Sequence, residues 1–200
     1  MNLESAILVV LSSLPVPKVD AQEVNRIERL EVITNAIATA ADRATCRGEF
    51  AVTTCKPIAN EPEQVAAELI AIANAESALR SNVGADECGV HQCDPVKIHG
   101  VISHRARSYW QLHRPKVWSD ARWESIRGSS QEATTEAAWT AAKILAGGHG
   151  VCHTTEGAVT FYGVGGMCHS YAFDKAAASR AAAIGRVRGK LWALTHEASK

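Results

Sequence analysis

The 200-residue chain has no net charge, few strand-like runs and no apolar stretch long enough to cross a membrane. Its 21 basic and 21 acidic residues cancel, which argues against nucleic acid as the main partner. Before Lys18 there is no lysine or arginine at all, and Glu4 is the one charged side chain. The apolar stretch from Ala6 to Leu14 therefore lacks the basic flank of a secretory signal, although Val19-Asp20-Ala21 loosely resembles a cleavage site. A short amphipathic helix, with Leu3, Ile7, Leu8 and Leu11 on its face and Pro15 and Pro17 closing it, is the preferred reading. No internal repeat and no low-complexity tract is present. Scarce strand patterns and abundant alanine predict a mainly α fold, and 46% hydrophobic with 21% charged residues is a globular composition.

Six cysteines are present, in three close pairs: Cys46 and Cys55, Cys88 and Cys93, Cys152 and Cys168. An even count suggests disulfides and an oxidising destination. Neighbour pairing is the simplest of many arrangements, since sequence does not choose among them. A zinc site built on Cys88, His91, Cys93 and His99 is the alternative, but that spacing matches no common zinc pattern. No metal and no cofactor is expected. Charge is uneven along the chain: residues 1–75 carry 6 basic and 10 acidic groups, and residues 76–200 carry 15 and 11. A weakly basic second half suits an anionic surface such as a cell wall, or is simply a solvated helix face.

Asp20 with Glu23 resembles a capping box, and Ile27, Leu30, Thr34, Ile37 and Ala41 then mark a helix to about Ala44. Asn60 is a candidate N-cap for the next helix, with Pro62 and Glu63 in its first turn. There Val65, Leu69, Ile72, Glu76 and Leu79 fall on one stripe, with Glu76 near its centre. An acid on an apolar stripe loses hydration, and its pKa should rise toward that of a general acid. The competing reading leaves Glu76 in solvent or paired with Arg80. Residues 81–104, with Gly84, Gly89, Pro95 and Gly100, predict a long loop or small hairpin. Residues 106–113 predict a helix before Pro115. Residues 130–145 predict a strong helix ended by Gly147-Gly148. Thr154 or Thr155 caps a short helix, and a last one spans about 173–194, with Ile184, Val187, Leu191 and Leu194 on one face.

Three stretches in this order resemble the lysozyme-like lytic transglycosylases, the group of soluble lytic transglycosylases and goose-type lysozymes. "ANAESALRSNVGA" is similar to the family helix that ends in Glu-Ser, which implies Glu76 as catalytic acid with Ser77 beside it. "RSYWQLHR" is similar to the family turn whose glutamine lines the cleft. That makes Gln111, with Tyr109 before it, a substrate contact, in preference to Gln92 in "GVHQC". "EGAVTFYGVGGMC" is similar to the stretch that sets an aromatic opposite the acid, which implies Tyr162. The chain departs from the family where Gly-Leu-Met becomes Ser108-Tyr109-Trp110 and where Tyr-Asn becomes Tyr162-Gly163. Trp110 reads as a core residue. The segment from Cys88 to Cys93 then becomes an inserted, cross-linked loop beside the cleft.

The resemblance covers about residues 60–195. It implies a lysozyme-like helical domain over 59–200 with a small loop or hairpin region, preceded by N-terminal helices in 1–58. It further implies peptidoglycan glycan strands as substrate, cleaved by one carboxyl. Asp86 and Glu87 are the nearby candidates for a second carboxyl, should the reaction be hydrolysis. The N-terminal segment would dock the enzyme to neighbours, such as phage tail or other virion proteins, and a form beginning near Ala59 would keep its activity if it folds. Location is expected to be a virion or a secreted, periplasmic site. A catalytically inactive lysozyme-like structural component and a zinc-stabilised binding module are the alternatives from other classes.

Overall fold

The structure is a computed structural model that describes residues 1–17, 25–89, 92–98, 101–114 and 117–196. The proposed Asp20–Glu23 cap, the Val19–Ala21 stretch, His91 and His99 lie outside the described residues. The fold is mainly helical. Helix α1 (Leu3–Ser12) starts where the Asn2 side chain accepts from the Ser5 N–H, and it buries Ala6, Ile7, Val10 and Leu11. Helix α2 (Arg26–Thr45) buries Leu30, Ile33 and Ile37 together with Ala36, Ala40, Ala41 and Ala44. Ile27, expected on this face, is exposed instead. The alanines let α2 lie close along α6 (Gln131–Cys152), whose Ala137, Ala138 and Ala141 are also buried.

Helix α3 (Pro62–Ser77) is the central element, packed by α2 on one side and by α8 (Asp174–His196) on another. Its N-cap is Glu61 rather than Asn60, with no side-chain bond, so the start rests on Pro62. Burial goes nearly all the way round from Val65 to Ala73, because the alanines between the large residues are enclosed too. The expected stripe is thus part of a helix buried on every side over two turns.

Helix α6 runs through Gly147 and Gly148 and stops only at His153, which takes the left-handed conformation. Gly148 does not end the helix because its missing side chain makes room for α7 (Thr155–Val164): a Cβ there would stand 2.9 Å from the Ala158 Cα. Thr154 caps α7 by accepting from the Gly157 N–H.

Between α3 and α6 lie the short helix α4 (Ser81–Gly84), two hairpins and α5 (Asp120–Glu124). Strand β1 (Pro95–Ile98) pairs antiparallel with β2 (Val101–His104), as the hairpin reading allowed. Strand β3 (Ala106–Arg107) pairs with β4 (Leu112–His113), where a helix was expected. Ser108 and Gln111 have φ of 65° and 48°, which an α-helix forbids. Long-range bonds fix this turn: Arg107 Nη1 donates to the Trp123 carbonyl and Trp110 Nε1 to the Leu69 carbonyl.

One hydrophobic core runs from Ala6 in α1 to Leu191 in α8. The segment 1–58, set apart in the sequence reading as a docking element, contributes α1 and α2 to that core. All three cysteine pairs close between neighbours, with Cα–Cα distances of 5.8, 6.0 and 5.4 Å. Three disulfides fit a secreted or extracytoplasmic protein. No helix among the described residues is long and apolar enough to cross a membrane. Replacing Cys152 and Cys168 by serine together is expected to lower stability by about 3 kcal/mol, by releasing a loop of this size in the unfolded chain. Urea unfolding reads this as a lower midpoint, and an unchanged midpoint would contradict it.

One charge pair sits inside the helical layer. Glu68 of α3 is buried, and its Oε1 accepts from His149 Nε2 of α6 at 2.7 Å. That bond raises the His149 pKa above the ordinary imidazole value, against the opposing effect of burial. The folded state therefore binds the proton more tightly than the unfolded chain. The stabilisation is complete below about pH 6.5, the unfolded value, and is lost as pH rises through the folded value. Urea midpoints should fall over that window in the native chain and stay flatter in His149→Gln.

Candidate active site

Glu76 occupies the last turn of α3. The helix stops there because Ala78 and Leu79 both take positive φ, 51° and 55°. The Ala78 N–H returns to the Asn74 carbonyl, and the Ser77 hydroxyl accepts from the Leu79 N–H. An acid in the last turn faces the negative end of the helix dipole, an unfavourable place for an unpaired carboxylate. The compensation comes from α8: Arg180 Nη2 donates to Glu76 Oε1 at 2.7 Å. Their side chains are 17% and 22% exposed, and the Arg180 guanidinium lies over the Phe173 ring. Glu76 therefore meets a cation and is partly exposed, where an apolar wall was expected. Its partner is Arg180, not Arg80.

Glu76, Gln111 and Tyr162 line one cleft of about 200 Å³, together with Asp94, His113 and Phe173. A shallower groove of about 440 Å³ continues past Gln111 and Tyr162 toward Arg114 and Phe161. A bonded frame sets the three predicted residues. Trp110 is fully buried and anchors to α3 through the Leu69 carbonyl, in keeping with its core reading. The Tyr162 hydroxyl donates to the Trp110 carbonyl at 2.5 Å. Enclosure and the nearby Glu76 carboxylate push the Tyr162 hydroxyl well above the usual tyrosine value, so it stays protonated. Its ring, rather than its proton, faces the cleft.

Gln111 follows Trp110 directly and is held in the left-handed conformation. Its amide nitrogen donates to the Ser108 carbonyl at 3.0 Å and approaches Cys93 Sγ at 3.6 Å. The amide oxygen is what remains for a ligand donor. The contact with Cys93 sets the Cys88–Cys93 loop against the cleft. Gln92 lies elsewhere, its amide oxygen accepting from Asn82 of α4 and from the Gly89 N–H of its own loop.

Ser77 and Tyr109 are not brought to the cleft. Ser77 is buried, and its hydroxyl donates to the Ala73 carbonyl as part of the α3 terminus. Tyr109 is buried across Gly84 and stands edge-on to Trp110. Asp86 lies between Arg107 and Arg127, at 3.5 and 3.4 Å, and burial pushes its carboxyl upward against the pull of both arginines. Glu87 is exposed, and neither acid lines the cleft. The carboxylate that does is Asp94, half-exposed, 3.8 Å from His113 and, like Gln111, at positive φ. Strained non-glycine backbone at two cleft positions is a feature of sites that hold side chains in place.

The glycine after Tyr162 is required by packing. A Cβ on Gly163 would lie 2.3 Å from the Phe173 ring, so Phe173 fills the space that an asparagine side chain would need. Asp94, Phe173 and Arg180 were missed by sequence reasoning. Asp94, adjacent to the cross-linked loop, carried the only local signal. Both thiols of the zinc alternative are consumed by the Cys88–Cys93 disulfide, and no group of three or more ligand-type side chains gathers among the described residues. No family model, curated protein or solved structure matches the chain.

Proposed function

We propose that the chain is a peptidoglycan lytic transglycosylase that cuts the β-1,4 bond between N-acetylmuramic acid and N-acetylglucosamine. The supporting observation is convergence. Glu76, Gln111 and Tyr162 come from three separated stretches, each singled out by resemblance, and they line one cleft. The carboxyl of Glu76 gives its proton to the glycosidic oxygen as the C1–O bond breaks. Before this step the contact with Arg180 gives way to the substrate oxygen and the Glu76 carboxylate takes up a proton from water. Positive charge developing at C1 is stabilised by the sugar's own N-acetyl group and nearby dipoles. The muramyl 6-hydroxyl then attacks C1 and returns its proton to Glu76, so no water enters the products. Gln111 offers an amide oxygen to a sugar N–H or O–H, and the Tyr162 ring offers a face for stacking.

Asp94 supports a second reading. A carboxylate across the cleft could activate water, which would make the enzyme a lysozyme-type hydrolase. Mass spectrometry of a digest of purified peptidoglycan separates the two. The expected products are 1,6-anhydromuramyl ends, one water lighter per cut than reducing ends, with Asp94→Asn retaining activity. Reducing ends together with a silent Asp94→Asn would establish hydrolysis. No products from native protein would leave a lysozyme-like structural component. Wall access would come from secretion or from carriage in a phage particle, and three disulfides suit either route.

A further inference from the structure

Away from the cleft, a cavity of about 380 Å³ opens between α3, α6 and the chain leading into α3. Ile58, Val65, Ala142 and Ala146 make an apolar wall. The floor is Glu68, whose side chain is 6% exposed. Both of its described donors fall on Oε1: Gln64 Nε2 at 2.5 Å and His149 Nε2 at 2.7 Å. No described hydrogen bond reaches Oε2. At the rim, Arg188 is paired with Glu61. Glu68 is thus a largely buried carboxylate with one oxygen left for a donor. The volume is at the lower end of small-molecule sites, which are typically apolar with a few placed polar groups.

We propose that this cavity binds an alkylammonium group, the ammonium bonded to Glu68 Oε2 and its carbon stem lying along Val65, Ala142 and Ala146. An anion would meet two carboxylates, Glu68 and Glu61, with Arg188 already paired. A sugar would find polar partners in Asn60, Gln64 and Thr155, but it brings no positive charge to the Glu68 carboxylate. The site is independent of the cleft chemistry. His149, Glu61 and Arg188 are the charged groups that face Glu68 across the cavity. One positive charge beside Glu68 is enough, so a bound ammonium and the His149 proton compete. Affinity therefore rises with pH through the His149 titration.

The shared chemistry has two sources, a free small amine and a lysine-type side chain on a peptide. Calorimetric titration of the full chain with n-butylammonium, with Nα-acetyl-lysine amide and with butyrate tests the proposal. Expected is saturable one-to-one binding of butylammonium, none of butyrate, and tighter binding at pH 8 than at pH 6. Glu68→Gln should weaken binding at least about tenfold, since a charge-assisted bond is lost. Ala146→Phe should remove binding by filling the cavity while leaving the charges alone. Tighter binding of the lysine amide than of butylammonium would point to a peptide source, and the reverse to a free amine. Circular dichroism establishes that each variant is folded. Absence of saturable binding to native protein, equal binding of butyrate, or affinity no greater at pH 8 would overturn the proposal whether or not either variant folds.

Discussion

Glu76→Gln is expected to slow peptidoglycan cleavage by about 10²–10⁴-fold, the usual worth of a positioned acid–base group. The amide oxygen can still accept from Arg180 Nη2, so the side chain should keep its place, but it has no proton to give. The sequence alone implies almost no stability cost, because it sets the acid on an apolar wall. With a guanidinium 2.7 Å away, the variant loses a partly buried ion pair. We expect a cost of about 1–3 kcal/mol, between the values for exposed and buried pairs. Rates on purified peptidoglycan and urea midpoints for the same two proteins check both halves. A rate that does not change would remove Glu76 from the chemistry.

What was readable in the sequence divides along physical lines. Local periodicity exposed α1, α2, α3, α6, α7 and α8, because alanine- and leucine-rich faces and Ser or Thr caps act over a few residues. The cysteine pairs were near enough in sequence for neighbour pairing to be the simplest choice. Residues 106–113 misled because their conformation is set from far away: Trp110 bonds α3, and Arg107 bonds the Trp123 carbonyl. Arg180 was invisible for the same reason, since it meets Glu76 across 104 positions of chain. Ser77 follows Glu76 and Tyr109 stands two positions before Gln111, yet a helix end and a tight turn rotate both into the interior. Glu68 falls between apolar neighbours on α3 and drew no notice, because burial all round that helix is a tertiary fact.

Deleting residues 1–58 should leave a chain that does not fold cooperatively. The sequence implies that such a form, if it folds, keeps its activity, because these helices serve docking rather than chemistry. In the structure Ile7, Leu11, Leu30, Ile33 and Ile37 are at most 1% exposed, and they belong to the same core as α3 and α6. Truncating one large buried side chain to alanine typically costs about 2–5 kcal/mol, whereas a whole domain is stable by only about 5–15 kcal/mol. Five such side chains together are worth about 10–25 kcal/mol, as much as that margin or more, before the loss of the α2 alanine face against α6 is considered. The site would suffer as well: Arg29 of α2 donates to the Leu79 carbonyl, in the turn that ends the Glu76 helix. The fragment 59–200 should therefore show weak near-UV dichroism, no sharp urea transition and no peptidoglycan cleavage. A fragment that unfolds cooperatively and still cuts the wall would instead make α1 and α2 a detachable docking element.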